Sequence, residues 1–200
     1  MDLFDAVAKR YSYRGDFTDA PVPREDLLKI VLAGIRAPSG KNEQTTSFVI
    51  VDDPDRLRQM AEIVNRPVCN SAKAMIACVI DPRPVLNVIS FAAEDCAAAV
   101  ENMLLAITAL GYDTVWLDGV LRVDDVAARL TKLLGVPEGK AVRILLPLGV
   151  AAEPGTQKEK LPFEERAWFN RYGGLWGVGS GEWSVVSGQW SVVSGQWSVV

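Results

Sequence analysis

Residues 90–111 read SFAAEDCAAAVENMLLAITALG, and the arrangement of the rest of the chain turns on this stretch. Ala93, Ala97, Val100, Leu104 and Ile107 recur at helical spacing, and Gly111 is the residue type that most readily ends a helix. The other faces are also rich in Ala, Met and Leu, so a helix over 90–110 is expected to be buried on nearly all sides. Two arrangements account for that equally well. A partner subunit lies against the helix, or the helix is central and wrapped by its own domain.

Outward from this helix the chain alternates. Toward the N-terminus, 2–9 reads as a short amphipathic helix with Leu3, Phe4 and Val7. Pro23 suits the first position of a second helix, where Leu27, Ile30, Val31 and Ile35 recur until Pro38 stops the run. Ser47–Val51 is a short strand, Asp53 caps a helix that opens with Pro54, and Ala74–Ile80 is a buried strand. Beyond Gly111 come a strand at Thr114–Leu117, a helix over 123–134 and a final strand at Val142–Leu148. This order predicts an α+β fold, a small sheet flanked by helices.

Composition narrows the function. The 200 residues are 49% hydrophobic and 23% charged with a net charge of −4, and the basic residues are scattered, which argues against nucleic acid or a membrane surface as partner. No apolar run is long enough to span a bilayer, and the acidic N-terminus has no signal-peptide core, so a cytoplasmic protein is expected. Cys69, Cys78 and Cys96 are an odd number without CxxC spacing and read as small apolar residues of a reduced protein. There is no histidine. His-based triads, most catalytic zinc sites and the imidazole base are thereby excluded, and no metal is expected. Chemistry falls to carboxylates, hydroxyls, amines, thiols or a bound cofactor.

Four polar clusters are candidates. Arg10-Tyr11-Ser12-Tyr13-Arg14 packs two guanidiniums and a hydroxyl into five residues, a donor array suited to phosphate, although solvated surface arginines account for it as well. Ala37-Pro38-Ser39-Gly40-Lys41-Asn42-Glu43-Gln44 is a polar loop that composition alone reads as a connecting turn. Trp116-Leu117-Asp118-Gly119 ends a strand in a turn with exposed backbone donors, and Lys158-Glu159-Lys160 is a basic doublet.

The order and spacing of these clusters resemble the nitroreductase family. Its opening pattern R-x-S-x-R followed by F-x-x-x-P-V-P is matched by Arg10, Ser12, Arg14, Phe17, Pro21, Val22 and Pro23. Its A-P-S-G-x-N-x-Q is matched from Ala37 through Gln44, though Thr45-Thr46 stands where Pro-Trp is common. Ala97 to Gly111 looks like the family's long core helix, Gly111 to Leu117 its G-x-x-x-x-W strand, and Phe163 to Gly173 a common terminus.

The resemblance implies a homodimer with FMN at the subunit interface and NADH or NADPH as co-substrate. Arg10, Tyr11, Ser12 and Arg14 would hold the flavin phosphate, ribityl chain and pyrimidine edge. Pro38, Ser39, Gly40 and Asn42 would reach it from the other subunit, with Lys41 on the substrate face. Asn65, beside Arg66, is a looser polar contact. The Asp118-Gly119 turn would aim a backbone N–H at flavin N5, and Lys158 or Lys160 would complete the phosphate site. The flavin N5 would carry the hydride, so no catalytic side chain is implied. Asp118 replaces a more usual small residue there, and a negative charge that close would disfavour the reduced flavin. The resemblance leaves open other reactions on the same scaffold (reductive dehalogenation, dehydrogenation of a small molecule, flavin cleavage) and a non-catalytic flavin-binding module.

The reading places one domain over 1–173 and a separate tail over 174–200. The tail runs GLWGVGS, GEWSVVS, GQWSVVS, GQWSVV, with Trp176, Trp183, Trp190 and Trp197 seven apart. It lacks the apolar seam of a coiled coil, and an odd period turns successive tryptophans to opposite faces of a single strand. The codons AGT GGT CAG TGG TCA GTG GTC would encode SGQWSVV as one seven-nucleotide unit read three times. A disordered or non-functional tail from a tandem DNA repeat is therefore expected, the rival being a selected adhesive or partner-binding tail.

Overall fold

The protein, a computed structural model, is described over residues 1–174, 190–193 and 196–199. Four strands, β1 (Thr46–Val51), β2 (Ala74–Ile80), β3 (Asp113–Thr114) and β4 (Ala141–Gly149), form a sheet in the order β1-β2-β4-β3. Every pairing is antiparallel, with Phe48 opposite Cys78, Ile76 opposite Leu146 and Thr114 opposite Leu148. The central strands show no polar alternation because helices cover both faces: Ala74–Val79 and Ile144–Gly149 are buried throughout.

The helices are α1 (Leu3–Lys9), α2 (Arg24–Ile35), α3 (Pro54–Val64), α4 (Pro67–Asn70), α5 (Ala92–Ala109) and α6 (Val126–Leu133). Successive β2 side chains divide between two cores. Ala74, Ile76 and Cys78 join Leu27 and Ile30 of α2 and Val100, Met103 and Ile107 of α5. Met75, Ala77 and Val79 join Leu57 and Met60 of α3 and Val126 and Leu130 of α6. The result is a three-layer α+β domain. Gly34 lets α2 approach α5 closely, since a Cβ there would lie 2.9 Å from the Met103 side chain.

Sequence and structure differ at several elements. Pro23 is the N-cap of α2 rather than its first turn. The strand expected over 114–117 shrinks to Asp113–Thr114 plus one bridge, Leu117 to Leu145. The helix expected at 123 begins at Val126, behind a tight turn over Gly119–Arg122, because Asp124 and Asp125 take left-handed backbone at φ 51° and 55°. Within the single chain, helix α5 is not enclosed on all sides, so its own domain does not wrap it. Its core face is Cys96, Val100, Met103, Leu104 and Ile107, while Ala93, Glu94 and Glu101 are exposed. Of the expected stripe, Val100, Leu104 and Ile107 are in the core, whereas Ala93 is exposed and Ala97 half-buried.

The described chain falls into two compact units, Met1–Thr156 and Gln157–Val200. Residues 157–173, which the sequence reading joins to the first domain, belong to the second unit; their only regular element is one turn at Phe163–Glu165. In the tail, Trp190–Val193 and Gln196–Val199 pair antiparallel as β5 and β6. Trp190 opposes Val199 and Val192 opposes Trp197, so these two units pair with each other instead of continuing as one strand. Trp176 and Trp183 lie outside the described residues, so the reading of the tail as disordered over its full length extends beyond them. Among the described residues no helix is long and apolar enough to cross a membrane.

Candidate functional site

The segment after α1 is extended, so its side chains alternate. Tyr11 and Tyr13 point inward. Tyr13 is buried against Phe17, its amide donates to the Thr114 carbonyl at 2.8 Å, and its hydroxyl donates to the Asp16 carbonyl. Tyr11 meets Tyr13 edge to face, and burial together with a hydrogen bond to Asp113 pushes its hydroxyl up to about 12. Its polar end is thus committed to the fold, and a Cβ at Gly155 would collide with its ring. With the tyrosines anchored, Ser12 and Arg14 face solvent. Arg10 caps the end of α1 and sits 3.8 Å from Glu101 of α5.

The Ala37–Thr45 loop is held from several sides. The Asp95 carboxylate, 5% exposed in the first turn of α5, accepts from the Gly40 amide at 2.7 Å and from the Thr45 hydroxyl at 2.6 Å. Ser39 Oγ accepts from the Gln44 amide, and Arg83 reaches the Glu43 carboxylate at 3.1 Å. Gly40 is pressed against the Phe91 ring, leaving no room for a Cβ. Lys41, Asn42 and Gln44 all have left-handed backbone, at φ 52°, 59° and 50°. Asn tolerates that conformation; for Lys and Gln it costs about 1–2 kcal/mol each. The hydrogen bonds offset this strain. Beside the loop lies a cleft of about 370 Å³ between α2, β1 and α5, where the buried Thr46 hydroxyl has no hydrogen-bond partner among the described residues.

Thr45 resolves the departure at 45–46: where proline is common, this chain uses a hydroxyl to engage Asp95. Asp118 is likewise not a bare carboxylate. Arg122 donates to it at 2.7 and 2.5 Å and Arg143 pairs with it from β4. The Arg122 hydrogen bond, with the added charge of Arg143, holds its carboxyl below the usual range. The expected penalty on a reduced flavin is therefore offset by two guanidiniums. Beside it Gly119 is exposed, and its N–H makes no hydrogen bond to another described residue.

The other residues singled out by sequence have the following places. Asn65 is the left-handed C-cap of α3, its amide bonded to Ala61, and Arg66 opens α4. The backbone alone accounts for an asparagine there. Lys158 and Lys160 are exposed in the second unit. Asp95, Thr45, Arg122 and Arg143 were missed. A carboxylate in a helix's first turn reads as a response to the helix dipole, and nothing local ties it to a loop 55 residues away.

The two halves of the candidate site lie on different sides of α5. Asp95, under the loop, and Glu101, beside Arg10, are six residues apart, which is about 9 Å along the helix and about 120° around it. The nitroreductase family model matches residues 7–150. The chain belongs to the nitroreductase family. Among the family's proteins it is similar to one from Archaeoglobus fulgidus named as an NADH dehydrogenase/NAD(P)H nitroreductase, at 36% identity over 135 residues, 66% of this chain and 76% of that protein. The structure of NADPH:FMN oxidoreductase from Vibrio harveyi complexed with NAD+ superposes with a TM-score of 0.74 at 26% identity, covering 86% of this chain and 79% of that one. A nitroreductase-family structure from Bacteroides thetaiotaomicron, again named for NADH dehydrogenase/NAD(P)H nitroreductase, gives 0.74 at 26% identity, covering 85% and 98%.

Proposed function

We propose that this nitroreductase-family chain is an FMN-dependent oxidoreductase using NADH or NADPH, active as a homodimer on small electron-poor acceptors such as nitroaromatics or quinones. The residues present fit FMN. Outward-facing Ser12 and Arg14, with Arg10 beside them, form a donor set for a dianionic phosphate and an electron-rich pyrimidine edge. The observation that carries the reading is the unpartnered Gly119 N–H at the end of the W-L-D-G turn, a donor available to a ring nitrogen.

Bound FMN supplies hydride acceptance from the nicotinamide and electron delivery to the acceptor, in turn at one place, which makes the kinetics ping-pong. The chain's own residues bind and orient. Arg14 lies near enough in sequence to the phosphate donors to serve the pyrimidine edge, where a cation favours the reduced, anionic ring. Lys41 and Asn42 stand exposed at the tip of a braced loop, suited to contact the acceptor.

Two features support the dimer. The loop and the Arg10 array face different sides of α5, so a second copy offers the way for both kinds of residue to meet one flavin. Leu3, Phe4 and Val7 of α1 and Leu28, Leu32 and Ile35 of α2 are exposed in the single chain. The test is an anaerobic titration of purified protein with NADH or NADPH while the flavin spectrum is followed. A yellow protein bleached by either nucleotide supports the reading. A colourless protein that takes up no FMN ends it.

A further inference from the structure

We propose that Asp95 is a positioning residue for the site: its buried carboxylate holds the Ser39–Asn42 turn in the conformation that presents it to the flavin of a second copy. The inference rests on the FMN-dependent reading above. Three observations converge on it. The carboxylate is almost fully buried, yet both oxygens are used on the loop, one by the Gly40 amide at 2.7 Å and one by the Thr45 hydroxyl at 2.6 Å. The residues between those anchors include Lys41 and Gln44 in left-handed backbone, which neither type adopts without being held. Strained backbone of this sort clusters at sites where a conformation is used rather than merely tolerated.

The position of Asp95 adds a reason for its charge. It lies in the first turn of α5, where a carboxylate suits the helix N-terminus. A charge-assisted acceptor is stronger than a neutral one, and it ties the loop to the longest helix of the domain. The cleft beside it confirms that the loop is not wedged in place by packing alone: about 370 Å³ next to Pro38 and Ser39 is unfilled in the single chain. Removing the carboxylate leaves the loop free to relax into that space. Thr45 is part of the device, since its hydroxyl donates to the second carboxylate oxygen.

The experiment compares the full-length wild type with Asp95→Asn, Asp95→Ala and Thr45→Val. Amide hydrogen exchange is read over peptides spanning 38–46 and, as a control, over β2 and β4. FMN affinity is read by fluorescence, and kcat and KM are read for a quinone acceptor. In Asp95→Ala, exchange over 38–46 rises by about ten-fold or more with the strands unchanged, as for a local opening. FMN affinity falls, and KM rises by about ten-fold with kcat within about three-fold, the pattern of lost ground-state positioning. Asp95→Asn keeps an acceptor for Gly40 and can still meet the Thr45 oxygen, so it stays within about three-fold of wild type in exchange. Thr45→Val falls between them and carries the test where Asp95→Ala does not fold.

Unchanged loop exchange in Asp95→Ala overturns the proposal. So does faster loop exchange with FMN affinity and KM left at wild-type values, since the carboxylate then holds the loop without serving the site. Exchange rising equally in β2 and β4 also overturns it, because the role is then one of general stability. A wild type that binds no FMN defeats the functional reading instead, and the exchange arm still reports whether Asp95 holds the loop.

Discussion

Arg10 and Asp118 are charged residues of the candidate site outside the core, and each can be altered without disturbing a core side chain. Arg10→Ala removes a charge-assisted contact to the phosphate and should weaken FMN retention by about 1.5–3 kcal/mol. A fluorescence titration checks this, with circular dichroism as the control for folding; equal affinities would remove Arg10 from the phosphate site. Asp118→Asn leaves Arg122 and Arg143 in place and makes the cluster one unit more positive. The reduced flavin carries added negative charge, so its reduction potential should rise, and a dye-coupled anaerobic titration measures the shift. A potential that falls or stays would place the cluster away from the ring. The same residue has a defined pH signature. Its carboxyl is depressed in the folded protein, chiefly by the Arg122 hydrogen bond, so its stabilisation is complete above the ordinary Asp value near about pH 4 and is lost as pH falls through the lower folded value. The stability difference between wild type and Asp118→Asn should be flat through neutral pH and shrink only in acid. At this scale the outward residues were legible and the buried ones were not. Ser12 and Arg14 alternate with tyrosines, a local pattern, whereas Asp95 and Arg143 take their meaning from partners far along the chain.

Helices α2 and α5 show how far periodicity carries. Regular spacing found both, with ends at Ile35 and Ala109 close to those expected from Pro38 and Gly111. It did not find which side of α5 is open, because Ala at 93 and 97 suits a core or an interface equally. The consequence for a dimer test is direct. Leu104 is 4% exposed within its own domain, so Leu104→Glu buries an unpaired carboxylate and should unfold the chain whether or not a partner exists. Leu32 is 54% exposed on the outer side of α2. Leu32→Glu should leave the circular dichroism spectrum intact while shifting sedimentation toward monomer. A variant that remains fully dimeric would exclude this side of α2 from the interface. The segment 119–125 was illegible for a different reason: two consecutive aspartates in left-handed backbone delay the helix, and no apolar period announces that.

For the molecule as a whole, the sequence divides at 173 and the compact units divide at Thr156, so the catalytic role of 157–173 is a matter for deletion series. We expect removal of 174–200 to leave FMN content, dimerisation and turnover unchanged and to improve solubility, since the uncharged Trp-Ser-Val-Val units are β-prone and pair with one another. Flavin content, sedimentation and steady-state rates of the truncated protein check this; loss of flavin or of the dimer would make the tail part of the working structure. The sheet order has a consequence of its own. Strand β2 must wait for β4, about 70 residues later in the chain, before its central ladder can close, from Ala74 opposite Leu148 to Ile80 opposite Ala141. At about 5–20 residues per second of synthesis, that is a delay of several seconds. Throughout it, one of the most apolar segments of the nascent protein, Ala-Met-Ile-Ala-Cys-Val-Ile, has only the β1 side of its ladder to pair with, so newborn chains need shelter from one another most while β4 is still being made.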